Sequence, residues 1–510
     1  MKKNLSIVIL LISLAISQSV FSQTYSFEKG KVPEGWKIDK GVLHISSEKY
    51  KSGSRSLQIK WKQNAVLTIP SPTGISEACR NRNGGMNAWI YNESPTKENL
   101  LFSFRDETGK EVCQLPFLLD FKGWRCIWAK FQGDMNMSSK SNIQSVEIQF
   151  PQHTKKGVTY IDLLEFTSKV SWQNMSDAQY KVNRTDYSLI PDFIGYRNAT
   201  PKVEKVITAE DNQITTITNR LTTWYLGSGQ HSSERWIKMR TENEKTFIRN
   251  GVKAAQKIKI QYTEDHTPQG EPLFPMGAPT IIDGQEAKKF RSINENILLP
   301  LALDYRKNQN DQSLKKALYI YDWFNDQGWA DGSSMGTLCF EKLRSSGYFH
   351  SFFLLKEQLS PEQLKRELQT MNWFTMFGAC YQLPSHAGEV ADNLRALAIP
   401  KLIYALSQND KQEREVALTA FKHYMDNALG IAPGFFGTFK ADFSGYHHRG
   451  SYHSAYYPHA LYAGALIAYL LHDTPYALSE TTLHNLKQGL LTFRFFCADL
   501  EVPAGTVGRF

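Results

Sequence analysis

From Tyr446 to His459 the chain reads Tyr-His-His-Arg-Gly-Ser-Tyr-His-Ser-Ala-Tyr-Tyr-Pro-His, and four of its 13 histidines and four of its 23 tyrosines fall there. Imidazole and phenol exchange protons when neighbours tune their pKa values. An ordinary core helix has little use for so many polar rings, whereas proton transfer on an acidic polymer uses them directly. In a polysaccharide built on uronic acid, the C5 hydrogen lies alpha to a carboxylate and the C4 oxygen is the leaving group. Breaking that bond by β-elimination needs a base for C5, an acid for O4 and a group that quenches the carboxylate charge. His448 and Tyr456 are the first candidate pair, and Arg509 in Gly508-Arg509-Phe510 can grip a carboxylate in a fork. The stretch Ser385-His386-Ala387-Gly388-Glu389-Val390-Ala391-Asp392-Asn393 adds an amide and a carboxylate at a helix start, where Asp392 or Asn393 could equally be a plain N-cap.

The rest of the chain must present these groups. Its 510 residues exceed one ordinary domain, and 41% hydrophobic with 21% charged residues is the composition of a soluble globular protein. Lys2 and Lys3, the apolar run Ile7 to Ile16 and the step Val20-Phe21-Ser22 read as a secretory signal over residues 1–22. A secreted or periplasmic bacterial protein is therefore expected, with no membrane partner. The formal charge of +9 falls to about +7 without the two signal lysines, which favours polyanions. Acidic polysaccharide fits better than nucleic acid, because dense basic runs are absent. Six cysteines lie outside any CxxC spacing, and Cys113 with Cys126 could form a bridge. No set of residues has metal-ligand spacing, so no cofactor is expected, with a structural or activity-enhancing divalent cation left open.

Residues 23–170 alternate in short segments between turns: Ser56 to Trp61, Met86 to Tyr91, Leu101 to Phe104, Cys126 to Ala129 and Ser145 to Phe150. That rhythm predicts an antiparallel β-sandwich. Phe27-Glu28, Gly35-Trp36 and Tyr50 to Leu57, with the closing run Gly157 to Leu164, resemble galactose-binding-like jelly rolls. Such a module would bind sugar or serve as a scaffold. After a polar connection over 171–205, apolar positions recur at helical spacing in Leu298–Tyr305, Ser313–Phe324, Phe349–Leu359 and Pro361–Trp373. They do so again in Asp392–Ser407, Lys411–Leu429, His459–Leu471 and Leu483–Phe496. Pro458 and Ser479 suit helix starts. Helical hairpins joined by aromatic, Gly-rich loops predict a toroid over 206–510, with its groove where the loops gather.

Phe439-Lys440-Ala441-Asp442, His448-Arg449-Gly450-Ser451-Tyr452, Pro458 and Leu470-Leu471-His472-Asp473-Thr474-Pro475 together resemble the chondroitin ABC lyases of polysaccharide lyase family 8. The resemblance covers nearly the whole chain and implies an α/α-toroid catalytic domain acting on chondroitin-type glycosaminoglycans by β-elimination. It carries the family's catalytic histidine to His448 and its arginine to Arg509. Tyr456 takes the tyrosine role if one residue is inserted, with Tyr452 and Tyr457 as alternatives. His447 to Tyr456 instead matches the longer spacing of the chondroitin AC and hyaluronate branches. Asn393 resembles the carboxylate-binding Asn of those branches, and Asp392 fits the ABC branch. A further family-like segment, Asp326-Gln327-Gly328-Trp329 with Gly332-Ser333, puts Trp329 with substrate binding.

Two departures qualify the resemblance. Thr337-Leu338-Cys339-Phe340 stands where iduronate-processing members carry a His pair, which weighs against dermatan-type activity. The chain ends at Phe510, whereas family members continue through a catalytic Glu and β-sheet domains, so a C-terminally truncated product with an incomplete toroid is expected. Chondroitin or dermatan sulfate and hyaluronan are the expected partners, and the protein is expected to be a monomer. The rival readings are a non-catalytic glycosaminoglycan-binding protein and a toroid hydrolase using Glu389 with Asp392.

Overall fold

The computed structural model describes residues 24–170, 177–181, 193–227, 234–262, 267–269, 272–273, 285–334, 344–497 and 501–503. The signal segment and Arg509 therefore lie outside the described residues, as do Cys339 and the rest of Thr337–Phe340. The chain divides into two compact units. One holds residues up to Tyr187 together with Phe274–Pro279 and Ser333–Gly336, and the other holds the remainder. Within the stretch 171–205, Asp177 and Tyr180 are buried in the first unit and Phe193 is buried in the second.

The first unit is the expected sandwich. Strands β1 (Lys37–Ile38), β2 (Gly41–Ser46), β3 (Ser56–Lys62) and β4 (Val66–Pro70) precede a short helix α1 (Ile75–Arg80). Then come β5 (Gly85–Asn92), β6 (Asn99–Arg105), β7 (Glu111–Leu118), β8 (Gly123–Lys130), β9 (Ser145–Gln149) and β10 (Lys156–Thr167). They form two five-stranded antiparallel sheets, ordered β1-β4-β9-β6-β7 and β2-β3-β10-β5-β8. Alternation decides which side chains meet between the sheets. Leu57, Ile59, Trp61, Met86, Ala88 and Ile90 from one sheet share a core with Leu67, Ile69, Phe102, Phe104, Leu115 and Ile148 from the other.

The Tyr50–Leu57 cadence has a concrete cause. Glu28 accepts hydrogen bonds from the Ser54 and Arg55 backbone N–H groups, each at 2.9 Å, so the loop closes over its carboxylate. Gly53 sits at φ 65°, which favours glycine, and a Cβ there would come within 2.4 Å of Glu28 Oε1 and displace the carboxylate that closes the loop.

Residues of β5 that alternate away from the core, Trp89 and Tyr91, are 1% and 0% exposed, and Trp124 of β8 is 0% exposed. These rings offer no open platform to a sugar. Cys113 and Cys126 are both free thiols, which corrects the expected bridge. Cys113 lies within the sandwich core, whereas the Cys126 thiol faces Asp177 Oδ1 at 3.3 Å, so the two have different surroundings.

The second unit is helical: α2 (Phe193–Arg197), α3 (Asp211–Leu226), α4 (Arg235–Ala255), α5 (Gln285–Ile293), a π-helical segment (Asn294–Leu298) and α6 (Leu299–Asn308). There follow α7 (Asp311–Asp326), α8 (Ser346–Leu355), α9 (Pro361–Thr375), α10 (Ala391–Leu406) and α11 (Lys411–Ala428). The last two are α12 (Tyr457–Leu471) and α13 (Glu480–Phe495). Helix contacts run α3–α6–α8–α10–α12 and back to α3, closing a cycle, while α4, α7, α9, α11 and α13 each pack on one member of it. This is the two-layered helical arrangement expected of an α/α toroid.

Trp329 follows α7 and is 0% exposed, stacked on Phe374 with ring centroids 3.5 Å apart and flanked by Phe290 and Tyr348. It is a core residue of the helical unit, which corrects its expected place in substrate binding: a ring enclosed by three others has no face left for a sugar.

Candidate active site

The loop ahead of α12 opens with a hairpin, β13 (Tyr446–His447) and β14 (Gly450–Ser451), whose pairing His447↔Gly450 leaves His448 and Arg449 as a two-residue turn. Their φ values are 49° and 66°, the geometry of a I′ turn, which normally calls for Asn-Gly. Two non-glycine residues held at positive φ store strain that surrounding structure must over-determine, as happens at functional sites. The turn carries His448 outward, where it is exposed, while His447 turns inward at 8% exposure.

Four rings then pack together. His447 stacks on Tyr456 at 3.8 Å between centroids with planes 20° apart. His448 meets the same tyrosine edge-on at 5.5 Å, and Tyr452 does so at 4.9 Å. Both histidine-to-tyrosine spacings legible in the sequence therefore converge on Tyr456. The tyrosine alternatives separate by burial. Tyr452 is 1% exposed, and the Tyr457 hydroxyl donates to the Phe443 carbonyl at 2.6 Å, with burial pushing its pKa up. Tyr456, at the N-cap of α12, is half-buried. Of the other histidines in the stretch, His453 is 1% exposed and stacks on Phe496 at 3.8 Å, with burial holding its pKa down.

Behind His447 stands Asp392, whose Oδ2 lies 3.4 Å from His447 Nε2 while its Oδ1 accepts from Arg395 Nε at 2.8 Å. Burial raises the Asp392 pKa, but the His447 ring and the Arg395 guanidinium outweigh it and hold the carboxyl below its ordinary range. Asp392 is not the helix cap, since Val390 occupies the N-cap of α10. Glu389 supplies the missing acceptor: its Oε1 takes the Val390 N–H at 2.8 Å and the Asn393 amide at 3.1 Å, and its Oε2 takes the Tyr424 hydroxyl at 3.0 Å. Asn393 is 8% exposed, and its amide nitrogen is turned onto Glu389 at the start of α10. An ionised Asp392 and a fully engaged Glu389 do not make the acid–base pair of a hydrolase.

Arg395 and Tyr424 did not stand out in the sequence. The three-residue step from Asp392 to Arg395 on one helix face was the available signal. Among the described residues, no group of three or more His, Cys, Asp or Glu side chains is arranged to hold a metal ion.

His350 on α8 lies nearby, its Nδ1 hydrogen-bonded to the Tyr225 hydroxyl, and burial lowers its pKa to about 4 from the ordinary 6.5. The unfolded chain takes up that proton first as pH falls, so the stability contributed by neutral His350 is complete above pH 6.5 and lost on the way down to about pH 4. Thermal melts across that window should show the loss, and His350→Gln should flatten the slope.

Residues 200–510 match the family described as "Lyase, catalytic", and residues 21–182 match "Lyase, N terminal". The chain is 26% identical over 521 residues to the chondroitin sulfate ABC exolyase of Bacteroides thetaiotaomicron, covering 95% of this chain and 48% of that protein. It is 24% identical over 538 residues to the chondroitin sulfate ABC endolyase of Proteus vulgaris, covering 96% and 51% respectively. It spans about half the length of these curated relatives. Among solved structures, the chondroitin AC lyase of Streptomyces coelicolor A3 in complex with chondroitin sulphate aligns with 58% of this chain and 38% of its own, at a TM-score of 0.46 and 12% identity.

Proposed function

The chain belongs to polysaccharide lyase family 8, whose catalytic and N-terminal regions it matches, and from that premise we propose that it cleaves chondroitin-type glycosaminoglycans by β-elimination. The observation that carries this reading is the convergence of His447, His448 and Tyr452 on the half-buried Tyr456 at the start of α12, with Asp392 behind His447. Exposed His448 takes the C5 proton, the C4–O bond breaks, and the Tyr456 hydroxyl returns a proton to O4. The new sugar end is a 4,5-unsaturated uronate. His447, anchored by Asp392, forms the floor that fixes the Tyr456 ring. Arg509 is assigned to the substrate carboxylate, since a cation is the group able to quench it and stabilise the enolate-like intermediate.

The formal charge of +9, about +7 once Lys2 and Lys3 are removed with residues 1–22, favours encounter with this polyanion, and export through those residues would bring the two together outside the cytoplasm. Incubation with chondroitin sulfate should raise the ultraviolet absorbance of a conjugated uronate. His448→Ala should lower the rate about 10²- to 10⁴-fold, the usual worth of a positioned proton-transfer group. Unchanged turnover in His448→Ala would remove the histidine from the mechanism. Retained glycan binding with no product in the unaltered chain would favour a binding protein instead.

A further inference from the structure

Beside the ring cluster lies a cavity of about 350 Å³ lined by Arg291, Glu295, Ser346, His350, Arg395 and His459, among others. It sits among the first turns of α8, α10 and α12 and is contiguous with the site: Arg395 pairs with Asp392, and His459 follows Tyr456 by three residues. Its volume is at the low end of ligand sites, which suits one or two sugar rings.

The arginines are held alike. Arg291 gives its Nε–H to Glu295 Oε2 at 2.7 Å, and Arg395 gives its Nε–H to Asp392 Oδ1 at 2.8 Å. Neither guanidinium has a further partner for its Nη groups among the described residues, so each keeps a fork of N–H donors in a fixed orientation. The one carboxylate lining the cavity among the described residues, Glu295, is neutralised by Arg291 and also accepts from Ser346 Oγ at 3.0 Å. Each guanidinium is thus balanced by one carboxylate, Arg291 by Glu295 and Arg395 by Asp392, and what the cavity presents is their outward Nη–H donors, in a geometry that matches planar or tetrahedral oxyanions. His350 stays neutral at ordinary pH, so it adds a polar ring and no charge.

We propose that this cavity is an anion subsite, in which Arg291 and Arg395 receive the charged substituent of the sugar next to the uronate under attack. The proposal rests on the lyase reading above and deepens it. The substituent is either a sulfate ester of the neighbouring hexosamine or the carboxylate of the next uronate, and both present oxygens to the same fork. Arg291 is the residue to alter, because Arg395 also holds Asp392. Its side chain is 57% exposed, so Arg291→Gln should fold normally, with an unchanged melting temperature as the check.

Calorimetry in a Tyr456→Phe background, where turnover is suppressed, would compare size-matched sulfated and unsulfated chondroitin oligosaccharides. Arg291→Gln is expected to weaken the sulfated ligand by about tenfold or more. A loss confined to the sulfated ligand assigns the subsite to the ester. An equal loss on both ligands assigns it to the carboxylate. Unaltered binding of both would overturn the proposal. Arg291→Lys, which restores charge without the fork, should recover binding only in part. Because the readout is binding, an unaltered chain that forms no unsaturated product would sink the lyase reading alone.

Discussion

Tyr456→Phe is expected to lower kcat on chondroitin sulfate by about 10²- to 10⁴-fold while leaving KM within about twofold. The substitution keeps the ring that stacks on His447 at 3.8 Å and removes only the hydroxyl, so packing is preserved while the proton donor is lost. An effect on kcat with unchanged KM is the signature of an interaction made in the transition state. Tyr457→Phe is the matched control one residue away. It removes a hydrogen bond to the Phe443 carbonyl and should cost about 1 kcal/mol of stability with kcat retained. Equal kinetic losses in both variants would mean that the loop is merely sensitive, and the assignment of Tyr456 would fall.

Trp329→Ala should destabilise the helical unit by about 3–5 kcal/mol, the range for deleting a buried aromatic side chain. The indole is fully enclosed, with Phe374 lying parallel to it at 6° and Phe290 and Tyr348 against it, so its loss leaves a cavity that neighbours cannot fill. Chemical denaturation should show the drop in the helical transition. At a temperature where the variant remains folded, KM should be unchanged. A raised KM with unaltered stability would restore Trp329 to the substrate-binding role that the family-like segment implied.

That contrast shows where the sequence was readable. Periodicity located all eight of the expected helical stretches, because each carries several apolar residues, along one stripe in α7 and on nearly every face in α10. It missed α3, whose buried positions Ile214, Ile217 and Leu221 are spaced correctly but are separated by threonines that weaken the pattern. It missed α4 for a related reason: Ile248, Gly251 and Ala255 make a thin stripe on a strongly charged helix. Sandwich strands were legible where the strand is buried along nearly its whole length, as in β5 and β8.

At the site, residue types pointed to the loop, but only the backbone could sort its rings. The hairpin turn sends His448 out while His447, on the strand, faces in, a consequence of the turn's position that spacing alone left open. The Asp392–His447 contact joins residues 55 positions apart by number, and the I′ turn that positions it is made without the usual glycine. The carboxylates at 389 and 392 looked alike in sequence. In the structure Glu389 satisfies the start of α10, and Asp392 serves His447 and Arg395.

The most direct test of elimination is to digest chondroitin sulfate with the protein in oxygen-18 water and analyse the new chain ends by mass spectrometry. Elimination takes no oxygen from solvent, so unsaturated uronate ends free of label are expected. Saturated uronate ends, with oxygen-18 on C1 of the hexosamine ends released beside them, would contradict the account, because they would mean that water attacks the sugar and the His448–Tyr456 cluster does not perform the chemistry assigned to it.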